Sequence, residues 1–174
     1  MTLPLDDPTA VLLDVPYVDQ GEYAELCWAA CCAMVIEFKN LAAGTSICQL
    51  ATEAFHVDCC PDASSDACDQ PHWPDDIYAK HFRHPLAYED ALTLANVVYE
   101  INNKRPVNAI LQWLGGDGSD QGKHSVLICG YYDNGDVLVQ DPDPATGVCR
   151  VGFDYVATAY NSGRWCKSYY NLEP

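Results

Sequence analysis

Ten cysteines in a chain of 174 residues limit the possible folds more than any other feature of this sequence. Three of them, Cys59, Cys60 and Cys68, lie in residues 56–76, a stretch rich in Pro, Asp and Ser that shows no helical or strand period, and Cys48 precedes it. A segment of this kind needs covalent or metal ties to hold one conformation. We therefore expect this part of the chain to be cross-linked.

Two kinds of cross-link are open for these cysteines, because His72 is close enough to complete a Cys₃His zinc site. The spacing lacks the paired C-x₂-C knuckles of common zinc sites, which favours disulfides and no metal. Adjacent Cys59 and Cys60 must then pair with different partners. Cys149 and Cys166, each on a predicted late strand, can form a further bridge if those strands are neighbours.

The composition and net charge indicate which kinds of protein this chain can be. A chain of 19.2 kDa with 49% hydrophobic residues can bury one core, so we expect a single domain and a monomer. No apolar run reaches the roughly 18 residues of a membrane span, and the N-terminus lacks the pattern of a secretory signal. The net charge of −16 argues against nucleic-acid and membrane partners. The cysteine content nevertheless favours a secreted or exported protein.

The periodicity predicts an α+β fold with a helical first half and an antiparallel β second half. Helices are expected at 27–39, 46–55 (capped by Thr45 or Ser46), 75–82 and 90–103. Strands are expected at 11–20, 107–113, 124–132, 136–140, 148–153 and 164–170. The tyrosines at 155, 160, 169 and 170 are expected to pack at the sheet surface.

Cys27 opens the first predicted helix. A thiol attacks as the thiolate, and a free thiol with a pKa of about 8.5 is mostly protonated at neutral pH. The N–H groups and the positive dipole end of a helix N-terminus stabilise such an anion. If Cys27 stays free, nine cysteines remain and at least one more must be unbridged; we expect this to be Cys129, in a central strand.

A thiol nucleophile needs a base and a group that orients the base. Among five histidines, only His124 opens a predicted strand of the second half, directly after a glycine-rich stretch. Asp141 follows the strand at 136–140, and the Asp133-Asn134-Gly135 turn folds that strand back along the strand of His124. Asp141 is therefore the predicted orienting residue, and Asp143 is its competitor.

These segments resemble the papain-like cysteine peptidases, in particular the compact bacterial branch with AvrRpt2-like and C39-like members. The matching blocks, in the family's order, are VPYVDQ before Cys27-Trp28-Ala29-Ala30, then RPVNAILQW, His124-Ser125-Val126, Gly130-Tyr131 and DVLVQDP. The resemblance implies a papain-like fold over 1–174, with a helical lobe at about 20–104 and a β lobe at about 105–174 that includes the N-terminal segment.

The resemblance also implies an activity and the roles of further residues. Gln20 matches the glutamine whose amide forms the oxyanion hole with the backbone N–H of Cys27, and Trp28 is expected to be a wall of the substrate cleft and part of the core. The implied reaction is hydrolysis of a peptide or protein through a thioester, without a cofactor. Two alternatives stay open: an acyltransferase or leader-peptide-processing enzyme with the same triad, and a peptide-binding module without catalysis.

Overall fold

The computed structural model describes residues 9–41 and 44–174, so the first eight residues of the segment without a signal pattern lie outside the described residues. The helices are α1 (Cys27–Phe38), α2 (Ile47–Phe55), α3 (Asp75–His81), α4 (Leu94–Asn102) and α5 (Phe153–Ala157). The strands are β1 (Ala10–Leu12), β2 (Leu86–Tyr88), β3 (Val107–Leu114), β4 (Asp120–Tyr132), β5 (Asp136–Gln140), β6 (Val148–Gly152) and β7 (Gly163–Tyr170).

A seven-stranded antiparallel sheet organises the fold. Its strands follow the order β2-β7-β3-β4-β5-β6, and β1 pairs with the end of β4. Helix α1 packs on β4, while α2 and α3 pack on α1. The predicted α+β class is confirmed. None of the helices in the described residues is long and apolar enough to cross a bilayer.

Helix α1 is the centre of the core. All ten residues from Cys27 to Ile36 are buried, because the helix lies between the sheet on one side and two helices on the other. A helix covered all round carries apolar residues on every face, which explains its continuous hydrophobic sequence. Its buried position fixes its first residue firmly against the sheet.

The helix boundaries follow local capping. The Ser46 side chain accepts the N–H of Gln49, and the Gln49 side chain accepts the N–H of Ser46, which forms a capping box at the start of α2. In α4 the Thr93 side chain accepts the N–H of Asn96, so the helix begins at Leu94. The expected start at residue 90 was wrong because this cap lies three residues later.

Strand β4 is longer than the sequence suggested. It begins at Asp120, and His124 lies inside it opposite Leu111, so the expectation that His124 opens the strand was wrong. The glycine-rich stretch pairs back onto the end of β3, where Leu114 faces Asp120. His124 and the residues on both sides of it are paired with β3, which fixes the backbone that carries the imidazole ring.

The N-terminal strand is shorter than expected, since only Ala10–Leu12 pairs, with residues 130–132 of β4. A Cβ atom on Gly130 would lie 2.5 Å from Leu12 Cδ2 and 2.9 Å from the carbonyl oxygen of Val11. Only glycine allows this close approach of the two backbones. Strand β2 and helix α5 were not expected from the sequence.

The cysteines of the irregular segment form two disulfides, Cys48–Cys60 and Cys59–Cys68, as the disulfide interpretation predicted. The neighbours Cys59 and Cys60 do pair with different partners. The zinc alternative is overturned, because the four sulfurs are joined in two disulfide pairs and none is left to bind a metal.

The other six cysteines are free thiols. Cys129 is among them and is fully buried, as expected. The bridge between Cys149 and Cys166 does not form, because β3, β4 and β5 separate their strands in the sheet.

Candidate active site

The Cys27 side chain stands at the first position of α1, where helix geometry leaves backbone N–H groups without intrahelical partners. Leu26 is the N-cap residue and has no side-chain acceptor for these groups. Cys27 is 9% exposed, so its sulfur reaches solvent only through a narrow opening. This position can stabilise a negative charge on sulfur.

His124 is hydrogen-bonded on both sides. Its Nε2 lies 2.6 Å from Oδ1 of Asp141, which leaves Nδ1 for the hydrogen bond with the Cys27 sulfur. Burial alone would lower the pKa of His124, but the hydrogen bonds to Asp141 and Cys27 and the negative charges of both raise it to about 10. The ring therefore favours the imidazolium form.

Asp141 is 1% exposed and accepts three hydrogen bonds. In addition to His124, the backbone N–H of Asp143 donates to Oδ1 at 2.9 Å, and the hydroxyl of Tyr160 donates to Oδ2 at 3.1 Å. The side chain of the competitor, Asp143, instead accepts the N–H of Ala145. A buried carboxylate with this many donors is held in one orientation.

Tyr160 departs from its expected place at the sheet surface. It lies in a run of three residues with left-handed backbone, from Ala159 to Asn161, without any glycine. This turn brings the Tyr160 hydroxyl to Asp141 and places the Tyr160 ring centroid 6.0 Å from that of Trp113. Burial and the nearby carboxylate raise the pKa of Tyr160, so its hydroxyl keeps the proton that it donates.

Trp113 covers the imidazole. Its ring stacks on His124 with 6.1 Å between the centroids and 19° between the planes. Together with Tyr160 it screens the bond between His124 and Asp141 from solvent, and a hydrogen bond in such an environment is electrostatically stronger. No role was predicted for Trp113, since aromatic residues in strands usually belong to the core.

Gln20 lies beside these residues and is 9% exposed. Its Nε2 donates to the carbonyl oxygen of Tyr23 at 2.6 Å, whereas its buried Oε1 has no partner in the described residues. An amide nitrogen carries two hydrogens, so one remains for another acceptor. The backbone N–H of Gln20 donates to the carbonyl of Pro142, directly after Asp141, which ties the two sides of the site together.

Two cavities that share lining residues form a groove beside His124. One cavity of about 260 Å³ has a mostly aromatic and aliphatic wall, lined by Trp28, Pro71, His72, Trp73 and Ile110 as well as by Cys27 and His124. The other, of about 430 Å³, is more polar and is lined by Gln20, His124 and Asp141 among others. Glu25 and Lys123 line both parts.

Trp28 is part of the core and also lines a cavity. It is 2% exposed, its ring packs on Phe55 and His72, and it still forms part of the cavity wall. His72 was expected only as a zinc alternative. Its Nε2 instead lies 2.8 Å from Oδ1 of Asp76, and no group of side chains in the described residues is arranged to hold a metal ion.

Comparisons with known proteins establish the family and the fold of this chain. The family model described as "Peptidase_C39 like family" matches residues 12–168. The crystal structure of a C39-like peptidase from Bacillus anthracis aligns with a TM-score of 0.61 at 16% identity over 92% of this chain and 96% of that one. The peptidase domain of Streptococcus ComA, a bifunctional ABC transporter of a quorum-sensing pathway, aligns with a TM-score of 0.52 at 18% identity over 92% and 96%.

No curated protein matches the chain by sequence. At these identities the two crystal structures establish the fold alone, and the family model establishes the family. The chain therefore belongs to the Peptidase_C39 like family and is a cysteine peptidase with an α+β, papain-like fold.

Proposed function

We propose that this peptidase cleaves peptide bonds with Cys27 as the nucleophile, His124 as the general base and acid, and Asp141 as the orienting residue. Gln20 and the backbone N–H of Cys27 serve as the oxyanion donors. The observation that carries the proposal is the position of one imidazole, hydrogen-bonded by the Cys27 sulfur on one side and by a buried carboxylate at 2.6 Å on the other. This is the arrangement that an activated thiol requires.

The first half of the reaction acylates the enzyme. The Cys27 proton resides on His124, and the thiolate attacks the carbonyl carbon of the scissile peptide bond. The developing oxyanion accepts the second Nε2 hydrogen of Gln20 and the N–H of Cys27. His124 then donates its proton to the leaving amine, the C–N bond breaks, and a thioester on Cys27 remains.

The second half releases the acid. Neutral His124 removes a proton from water, the resulting hydroxide attacks the thioester, and the tetrahedral intermediate collapses with departure of the Cys27 thiolate. Asp141 keeps Nε2 of the imidazole protonated and Nδ1 directed at the reacting atoms throughout. A second proton acceptor is not needed, because the imidazolium forms again at the end of the cycle.

The groove favours a peptide substrate in an extended conformation. The apolar cavity lined by Trp28, Pro71 and Ile110 offers room for one apolar side chain next to the scissile bond. The polar cavity on the other side of His124 would hold the residues after that bond. Only a monomer is needed for this site, since every proposed residue comes from one chain.

The test is hydrolysis of a peptide library, followed by mass spectrometry of the products. Cys27→Ala should abolish cleavage, whereas Cys149→Ala, which removes another free thiol of intermediate exposure, should leave it unchanged. Cleavage by Cys27→Ala would refute the assignment. An amine added to the same assay separates the alternatives, because an acyltransferase forms an amide with the amine while a peptidase releases the free acid.

A further inference from the structure

The carboxylate of Asp69 holds the segment just before the nucleophile. Its Oδ2 accepts the N–H of Ala24 at 2.9 Å and its Oδ1 accepts the N–H of Glu25 at 2.8 Å. No other group in the described residues accepts from these two N–H groups. We propose that Asp69 is a positioning residue for Cys27 and for the oxyanion donor Gln20, an inference that rests on the proposed function of these two residues.

One peptide group links Asp69 to Gln20. The peptide unit between Tyr23 and Ala24 donates its N–H to Asp69 and accepts the Nε2 hydrogen of Gln20 on its carbonyl oxygen at 2.6 Å. If this peptide turns, the side-chain amide of Gln20 loses its one hydrogen-bond partner among the described residues. Asp69 thereby sets the direction in which the second Nε2 hydrogen points.

The loop that carries Asp69 also holds the other side of Cys27. Gln70, the next residue, accepts the indole N–H of Trp28 on its backbone oxygen at 3.1 Å. Cys27 is therefore bracketed by bonds to Glu25 and to Trp28 from two consecutive residues of one loop. Attachment on both sides restricts how the first turn of α1 can move relative to His124.

A disulfide makes this loop rigid enough for such a role. Asp69 directly follows Cys68, which is bonded to Cys59, and both sulfur-bearing residues are buried. The carbonyl oxygen of Ser65 accepts the N–H groups of Cys68 and Asp69 at 2.8 and 2.9 Å. The irregular, cross-linked segment thus ends in a carboxylate whose place is fixed by covalent and hydrogen bonds.

The chemistry of the contact explains why a carboxylate is required. Two parallel N–H donors need two acceptor oxygens on one planar group, which an ionised Asp provides. An Asn at the same place offers one oxygen and turns its NH₂ group toward the second donor. Asp69→Asn therefore breaks one bond and introduces a repulsive contact while it preserves the size of the side chain.

The expected effect is on catalysis more than on stability. Displacement of a catalytic group by about 1 Å can lower the rate by about 100-fold, so kcat of Asp69→Asn should fall by about 10- to 100-fold with KM changed little. The rate of Cys27 alkylation by iodoacetamide should also fall near neutral pH, because a sulfur displaced from His124 loses the imidazole that accepts its proton.

The experiment compares Asp69→Asn with Asp66→Asn in the full chain. Asp66 lies in the same loop and is exposed, and within the described part of the chain only its backbone oxygen accepts a hydrogen bond, which makes it a matched control. Measurements of kcat, KM, and the pH dependence of Cys27 alkylation are normalised to the folded fraction from near-UV circular dichroism. We expect a loss of kcat and slower alkylation at neutral pH in Asp69→Asn alone.

Two results would overturn the inference: a normalised kcat equal to that of Asp66→Asn, or a loss of activity that the unfolded fraction fully explains. Full activity in Cys27→Ala would instead refute the proposed function. The two failures are distinguishable, because alkylation of Cys27 reports the placement of its sulfur whether or not that sulfur is the nucleophile.

Discussion

The imidazole of His124 and the carboxylate of Asp141 meet at 2.6 Å although 17 positions separate them in the chain. The hairpin of β4 and β5 produces this contact, since Leu127 pairs with Gln140 and the next residue is Asp141. A sheet register therefore sets the distance on which the proposed mechanism depends.

The alkaline limit of activity should depend on Asp141. The pKa of His124 is raised to about 10, so the imidazolium needed for the leaving amine persists to that pH and is lost above it. Asp141→Asn removes the negative charge, and the alkaline limb of kcat/KM should move to lower pH by on the order of 1–2 units. Asp133→Asn, in the exposed turn of the same hairpin, is the control.

The same titration predicts a change in stability. Because the folded pKa of His124 lies above its ordinary value of about 6.5, the folded state binds the extra proton. Its stabilising contribution is complete below about pH 6.5 and disappears as the pH rises through about 10. Chemical unfolding of the wild type and Asp141→Asn between these limits should show a smaller pH dependence in the variant. Equal slopes would contradict the ion-pair assignment.

Removal of the Gln20 amide should slow the chemical step. Gln20→Ala deletes one of the two proposed oxyanion donors, and loss of such a donor lowers kcat by about 100- to 1,000-fold. KM should stay near the wild-type value, because the bond forms fully only as charge develops on the carbonyl oxygen. Steady-state kinetics on one peptide substrate provide the test. A raised KM at unchanged kcat would show that Gln20 binds the ground state and the transition state equally and contributes nothing to the chemical step.

Much of this site could be inferred from residue types and their order. Cys27 at a helix start and the Asp133-Asn134-Gly135 turn are local signals, and the second of them fixes the hairpin that carries His124 and Asp141. The extent of α1 could also be predicted, from apolar residues that recur at helical spacing, whereas its burial on all faces appears only in the fold. The start of α4 was harder to predict, because the acidic residues just before its cap also favour the start of a helix.

The unpredicted parts depend on contacts between distant segments. Tyr160 reaches Asp141 only through a left-handed turn without glycine, which no local pattern indicates. Strand β2 is exposed along its whole length and shows no alternation, while α5 contains Phe, Tyr and Val, residues that favour strands. Asp69 contacts residues 44 and 45 positions away, so its role is visible only in the folded chain.

Loss of the Tyr160 hydroxyl should destabilise the protein and slow catalysis. Tyr160→Phe leaves one oxygen of the buried Asp141 without its donor at 3.1 Å, and a hydrogen bond to a charged group contributes about 1.5–3 kcal/mol to the free energy of unfolding. Urea denaturation and kcat are the measurements. Tyr155→Phe is the matched control, because this exposed tyrosine packs its ring on that of Tyr160 and its hydroxyl has no hydrogen-bond partner in the described residues. Similar losses in both variants would argue against the hydroxyl.

Thiol chemistry should single out one of the six free cysteines. Burial raises the pKa of the other five, so these thiols stay protonated at neutral pH; they are Cys31, Cys32, Cys129, Cys149 and Cys166. Among the six, only Cys27 is hydrogen-bonded to an imidazole, and the raised pKa of that imidazole favours the imidazolium form. Limited alkylation of the native, unreduced protein with iodoacetamide should therefore modify Cys27 first, as located by mass spectrometry of tryptic peptides.

Unfolding without reductant should expose six reactive thiols, and reduction should raise the number to ten. Earlier labelling of Cys149 or Cys166, which are the more exposed of these thiols, would show that the Cys27 sulfur is not activated in the folded protein.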